Sequence, residues 1–372
     1  MMDINHEPGS CASCGVHSCF KNAEKKLADK KLGRMAFMVD QYWPEFDDYI
    51  QRTRQAGDLL FSPLDGHRWH KNQYRWTLDG FGDGFGKVYH RNLLTLYRAW
   101  RSRRLGQQGA ARQQHLLQYD QLFARSIRRQ LSYDVGHLVI GQNYLLPFYQ
   151  QGSLGGRTYD VLMNRFALKI LQKNLDQATI KHPGSQTLKD FRVSATMIEN
   201  EWKLLEQAER IMTPHGYLAG LFPEKTILLP WQLPNILKKP SLSNQIVFLG
   251  PTVGRRGAYE MRALLDKIKI PLTVLGKNLE QLDFWKGYPV VEKAWGDTWL
   301  ENVGLVISPA YIENQPRRLL EAEAAGISII SLPQSGLLQP IQLKGTHLQE
   351  KEIYQHFLNV IPNDTVTPVK VR

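Results

Sequence analysis

The sequence predicts an α/β fold of two domains built on parallel sheets, and three observations carry that expectation. The first is the stretch 305–332. A short apolar run at 304–307 has the length and β-branched content of a buried strand. Pro316 stands where a helix accepts proline, at its first position, and Gly326 where a helix ends on glycine. A second apolar run at 327–330 closes strand, crossover helix and strand, an order that implies parallel pairing. The second observation is the same alternation at 245–276, where Gln245-Ile-Val-Phe-Leu precedes a glycine-rich turn, a helix to Lys269 and a strand at 272–276. The third is size, since 372 residues exceed one ordinary core.

Composition narrows the class. Hydrophobic residues make up 42% and charged residues 22%, a soluble globular balance. No apolar run approaches the roughly 20 residues of a membrane span. The first ten residues hold acids and a proline and do not read as a signal peptide, so a cytoplasmic protein is expected. The net charge of +12 is uneven. Residues 87–131 hold ten Lys or Arg and one acid, Asp120, with Arg91, Arg98, Arg101, Arg103 and Arg104 interleaved among Leu93, Leu94, Leu96, Tyr97 and Trp100. That pattern suits a basic helix on an anionic, inner membrane face, and equally a solvated helix face. Nucleic acid ranks below both, because no helix-turn-helix, finger or RNP-type pattern accompanies the charge.

Taken in order, the chain opens with its only three cysteines, Cys11, Cys14 and Cys19, around His17 and beside Gly15. Three thiols and an imidazole so close together can converge on one ion, zinc or an iron-sulfur cluster, although the spacing matches neither paired zinc knuckles nor a ferredoxin run. A redox-active thiol site is the other reading. Residues 21–31 form a charged helical stretch and 34–39 a strand. Pro44 opens a helix with acids in its first turn and bases at its end. Another strand is expected at 58–61. Residues 65–86 have no period; His67, His70, Asp79 and Asp83 there read as loop decoration before a polar site. Helical pattern runs from 91 to 131, broken near Gly106 and Gly109. A strand follows at 137–140, then amphipathic helices at 159–175 and 197–208. Residues 208–213 lead into Pro214-His215-Gly216-Tyr217-Leu218, and Pro230, Pro234 and Pro240 mark an extended linker.

Two constellations in the second half bear on chemistry. Gly250, Gly254 and Gly257 follow a strand and open a helix, with Arg255 and Arg256 among them, so backbone N–H groups and the helix dipole can face an anion. The spacing is not the dinucleotide fingerprint. In the later unit Glu313 lies in the loop after a strand, and Glu321 lies eight positions on, in the helix. Ligands of parallel sheets bind beyond the carboxyl ends of the strands, so both carboxylates can face one crevice.

These residues resemble those of retaining glycosyltransferases of the GT-B fold, family-four type. Glu313 and Glu321 match that family's glutamate, seven residues, glutamate, and Glu321-Ala-Glu-Ala-Ala-Gly326 resembles its Glu-Ala-x-Ala-x-Gly. The turn after Phe248 resembles its phosphate loop, with Arg256 at the family's lysine, Gly257 at the next glycine and Pro251 at its usual arginine, where Arg255 can substitute. Asn314-Gln315-Pro316 stands where an aromatic and a glycine are frequent. The resemblance is good over 245–332, loose over 134–229 and absent before that.

The fold implied is GT-B, two Rossmann-like domains with parallel sheets facing a cleft. Residues 1–229 would form an acceptor-side domain with a cysteine-rich start and a basic helical insertion, and 230–244 a linker. Residues 245–340 would bind the nucleotide-sugar, and 341–372 would be a tail packing back on the first domain. The implied reaction is transfer of a sugar, hexosyl in type, from a nucleotide-sugar to an acceptor (a glycan, a lipid-linked sugar or a small molecule) with retention. Arg256, Arg255 and the amides near Gly250 and Gly257 would bind the diphosphate, so no metal cofactor is required for transfer. Glu313 would lie against the donor sugar near Asn314 and Gln315, and Glu321 would hold the ribose. The alternatives are a catalytically idle relative that binds metal or a membrane surface, and a sugar-nucleotide epimerase.

Overall fold

In a computed structural model the described residues are 33–76, 84–105, 109–236, 244–345, 347 and 349–361. Cys11, Cys14, His17 and Cys19 lie outside them, as do Asp79 and Asp83.

The chain forms two sheets. The first has seven strands, β1 (Arg34–Met38), β2 (Leu59–Ser62), β3 (Lys87–His90), β4 (Val135–Gly141), β5 (Thr158–Leu162), β6 (Arg210–Thr213) and β7 (Thr226–Leu228). Their order is β3-β2-β1-β4-β5-β6-β7, parallel throughout. The second sheet contains β8 (Gln245–Leu249), β9 (Leu272–Leu275), β10 (Val290–Lys293), β11 (Val303–Ser308), β12 (Ser328–Ser331) and β13 (Ile341–Gln342). Its order is β10-β9-β8-β11-β12-β13, and only the last pair is antiparallel. Two parallel α/β units, the arrangement expected, are what the chain forms.

Helices cover both faces of each sheet. In the first unit they are α1 (Pro44–Thr53), α2 (Asn92–Arg104), α3 (Ala110–Arg128), α4 (Gln142–Gln150), α5 (Leu168–Lys181), α6 (Ala195–Gln207) and the short α7 (Gly216–Ala219). In the second they are α8 (Ala258–Lys267), α9 (Arg317–Ala324) and α10 (Glu350–Val360). Central strands are apolar on both sides because helices cover both faces: β11 is buried at every position. Tyr311 and Ile312, which follow β11, are buried in the first unit's core, so the loop carrying Glu313 is pinned between the units.

Three expectations need correction. Residues 159–175 are not one helix. Thr158–Leu162 is a strand between β4 and β6, and α5 starts only at Leu168; the apolar spacing of Tyr159, Leu162 and Phe166 suits either state until pairing decides. The described part of the segment after residue 340 joins the second unit, where a tail packing back on the first was expected. It adds β13 to the second sheet, and Ile353, Phe357 and Ile361, four apart on one face of the α10 helix and its end, enter the second unit's core. One contact returns to the first unit, from Lys181 Nζ to the Val360 carbonyl at 2.8 Å. Pro316, expected at the first helical position, instead caps α9 with its carbonyl, which accepts from Leu320 N–H.

Candidate functional site

Strand order reverses between β8 and β11, and ligands of open parallel sheets bind beyond the carboxyl ends at such a point. Both glycine-rich and glutamate-bearing loops lie there. After β8 the chain makes a tight turn at Gly254–Arg256 and enters α8 through Gly257, whose φ is +81°. A Cβ on Gly257 would sit 2.2 Å from the Pro309 carbonyl oxygen, so only glycine lets this turn press against the end of β11. Gly250 is held as closely, since a Cβ there would meet the Leu275 carbonyl at 2.2 Å.

That approach brings Arg256 and Glu313 into an ion pair. Both are largely buried, and burial together with the neighbouring Arg255 guanidinium draws the Arg256 pKa down to about 10, which leaves it charged at neutral pH. Glu313 Oε1 also accepts the Gln315 N–H at 3.2 Å. The Glu313 carbonyl, in turn, lies 2.8 Å from His215 Nε2. Burial lowers the His215 pKa to about 3, so the ring is neutral. Its Nδ1 accepts from Leu218 N–H at 3.3 Å, which puts the proton on Nε2 and makes it the donor to Glu313. Gly336, with φ +75°, lies flat on the imidazole; a Cβ there would fall within 2.5 Å of three ring atoms. Sequence reasoning missed His215. Its position between Pro214 and Gly216 after a strand was the available signal.

Not every donor of the glycine loop faces the cleft. Gly254 N–H donates to Glu280 Oε1 at 2.6 Å and to Thr187 Oγ1 at 2.9 Å. The amides left for an anion are those of the first turn of α8, which have no partner within a helix. Arg255 departs from expectation in direction: its guanidinium lies 4.8 Å from the Phe191 ring, against the first unit. Asn314 also faces that unit, its Oδ1 accepting Phe166 N–H at 3.0 Å.

Glu321 belongs to a second cluster. Its Oε2 accepts from Trp299 Nε1 at 2.8 Å and from Arg318 Nη1 at 2.6 Å. Trp299 meets Trp295 edge-on at 5.7 Å, and Arg318 lies 4.8 Å from the Trp295 ring. Trp295 lines a cavity of about 680 Å³ with Pro251, Gly276, Lys277 and Glu292. The structure thus joins Glu313 to Arg256 and places Glu321 behind the aromatic wall of the neighbouring cavity. Among the described residues no His, Cys, Asp and Glu group is arranged to hold a metal ion.

No known protein family and no curated protein matches the chain in sequence. Among solved structures, LpCGTa in complex with UDP is similar at 12% identity and a TM-score of 0.42, over 88% of this chain and 83% of that one. Anabaena HepE in complex with UDP and glucose is similar at 11% and 0.44, over 80% of each chain. Arabidopsis thaliana UGT89C1 complexed with UDP is similar at 9% and 0.40, over 85% of this chain and 83% of that one. At this distance the likenesses carry no assignment.

Proposed function

We propose that the protein is a glycosyltransferase that moves a sugar from a nucleotide-sugar donor to an acceptor hydroxyl in the cleft between its two sheets. The observation that carries this reading is the Arg256–Glu313 pair at the β8–β11 switch point, beside the start of α8. Next to it, the cavity lined by Pro251, Gly276 and Trp295 falls within the roughly 300–1,000 Å³ of small-molecule pockets and suits a nucleoside.

In the proposed reaction the bond from the anomeric carbon to the diphosphate oxygen breaks, and its electron pair leaves on the diphosphate. The acceptor oxygen bonds to that carbon, and its proton passes to the departing diphosphate. Charge grows on the leaving group in the transition state, where Arg256 and the first amides of α8 stabilise it without reorganisation. Glu313, fixed from behind by His215, lies against the sugar, and the outcome we assign is retention. Glu321 spends Oε2 on Trp299 and Arg318, so Oε1 is the atom assigned to the ribose. Arg256 and the first amides of α8 hold the diphosphate in place of a divalent ion.

The test is incubation with UDP-, GDP- and ADP-sugars, with and without candidate acceptors. Nucleoside diphosphate release and the anomeric proton signal of the product are followed. Release that requires an acceptor supports transfer, interconversion of donor sugars without acceptor indicates an epimerase, and no turnover of any donor indicates an idle relative.

A second reading concerns α2, for which we propose contact with an anionic membrane surface. Leu93 (83% exposed), Tyr97 and Trp100 stand out of α2 on one face, with Arg101 donating to Tyr97 Oη and Arg104 4.1 Å from the Trp100 ring. Exposed apolar tips among guanidinium groups suit a lipid interface. No helix among the described residues is long and apolar enough to cross a membrane.

A further inference from the structure

The first sheet has its own reversal of strand order, between β1 and β4. A cavity of about 420 Å³ opens there among α3, α4, α5 and α6. Asn143, two residues past β4, lines it and donates to Asp40, two residues past β1, at 2.9 Å. The cavity therefore occupies the position where open parallel sheets bind ligands.

Its lining is mostly apolar, with Leu117, Leu146, Pro147, Leu168, Leu171 and Met197. Its charges cancel in pairs. Arg165 donates to Glu201 at 2.6 Å and to Asn143 at 2.8 Å. Arg98 lies 3.6 Å from Asp40, and its buried Nη1 has no hydrogen-bond partner. Asp120 is left over. It lines the cavity, and among the described residues nothing hydrogen-bonds or ion-pairs with it. Burial and the Asp40 carboxylate push its pKa up to about 8, against the pull of Arg98 and Arg165.

The cavity adjoins the transfer site. Phe191 lines it and carries the Arg255 guanidinium; Arg165 lines it, and the next residue, Phe166, donates its N–H to Asn314 beside Glu313. An anion would find no uncompensated cation here. A bulky apolar body would fill the walls, and one hydroxyl would satisfy Asp120 and the open donor of Arg98.

We propose that this cavity is the acceptor site, and that the acceptor is a neutral, mostly apolar molecule whose hydroxyl is bound by Asp120. The acceptor role rests on the glycosyltransferase reading; the binding chemistry does not.

The probes are 4-methylumbelliferone, estradiol and 1-dodecanol, each with its methyl ether, and dodecyl phosphate as the anionic arm, titrated calorimetrically into the full chain. At least one alcohol should bind, its ether about tenfold more weakly, as expected for one lost hydrogen bond in a desolvated site. Asp120→Asn should narrow that preference. Leu117→Trp, at a position 37% exposed and so tolerant of bulk, should weaken alcohol binding about tenfold by filling the opening, with nucleotide affinity unchanged. Met197→Trp is the second filling variant. Absence of binding by every alcohol overturns the proposal. So does binding that ignores both filling variants, or tighter binding of dodecyl phosphate than of dodecanol. Alcohol binding as described, without transfer from any nucleotide-sugar, keeps the binding site and removes the transferase reading. Transfer whose acceptor KM ignores Leu117→Trp does the reverse.

Discussion

Arg256 and Glu313 divide the work of the proposed site, and their variants should separate binding from chemistry. Loss of Arg256 removes stabilisation of a charge that exists only as the glycosidic bond breaks. Arg256→Ala should therefore lower kcat by roughly two to three orders of magnitude, and Arg256→Lys should recover much of it. Glu313→Gln should spare nucleotide affinity and slow transfer. Steady-state kinetics with the identified donor checks all three, and unchanged constants for Arg256→Ala would remove the residue from the site. His215 carries a pH signature of its own. Its folded pKa of about 3 lies below the ordinary 6.5, so between those values the unfolded chain binds a proton that the folded chain does not. The contribution is complete above pH 6.5 and is lost by about 1.4 kcal/mol per pH unit as pH falls toward 3. His215→Gln, which keeps an N–H donor near the Glu313 carbonyl, should flatten this dependence in urea titrations. His215→Ala should flatten it as well but also lower kcat. An unchanged slope in both variants would mean that another group carries the acid sensitivity.

At the scale of elements, the glycine turn is held by Glu280, which lies between β9 and β10. Its buried carboxylate accepts from Ser185 Oγ at 2.9 Å, Gln186 N–H at 3.2 Å, Gly254 N–H at 2.6 Å, Tyr259 Oη at 3.3 Å and the Thr187 hydroxyl. Most of these donors have no water to turn to once the carboxylate is gone. Glu280→Ala should cost at least about 2 kcal/mol in urea denaturation, and Glu280→Gln less, because one acceptor oxygen remains. Gly257→Ala tests the turn directly. Left-handed strain and the clash with the Pro309 carbonyl together should cost about 2–4 kcal/mol and lower kcat. A fully stable Gly257→Ala protein would mean that the turn relaxes without consequence.

At the scale of the molecule, the two units are tied by buried carboxylates. Glu45 of the first unit binds Arg317 of the second at 2.6 Å, and the guanidinium lies 5.4 Å from both Trp43 and Trp231. Glu260 of the second unit accepts from Lys181 at 3.2 Å and lies 2.6 Å from His182 Nε2, and Tyr311 also donates to it. Arg317→Ala leaves Glu45 buried without its cation, so the cleft should open and the radius of gyration from small-angle X-ray scattering should rise. A scattering curve identical to the parent's would show that the other ties suffice. Charge acts at this scale too. Replacing Arg101, Arg103 and Arg104 by Gln should abolish salt-sensitive binding to anionic vesicles while leaving stability nearly unchanged, because exposed charges contribute little to it. Equal binding to neutral vesicles would exclude the surface proposed for α2.

The sequence by itself determined the α/β class and the parallel units around residues 245 and 313, and it singled out Gly257, Arg256 and Glu313 as candidates. Each follows from local chemistry: a proline or glycine at a helix end, a β-branched run, a cation after a tight turn. Tertiary structure decided what local pattern leaves open. β3 and β10 were not legible because edge strands, with no fully buried position, carry no continuous buried run. The strand at 158–162 was read as helix because a doubly covered strand has no period to distinguish it. That Glu313 pairs with Arg256, that His215 fixes it from another sheet 98 positions away in sequence, and that Glu321 stands behind Trp299 are facts of packing. Asp120, the one acid in a basic stretch, looked like an exception on a charged face; only the closure of four helices around it makes it the unpaired carboxyl group of a cavity.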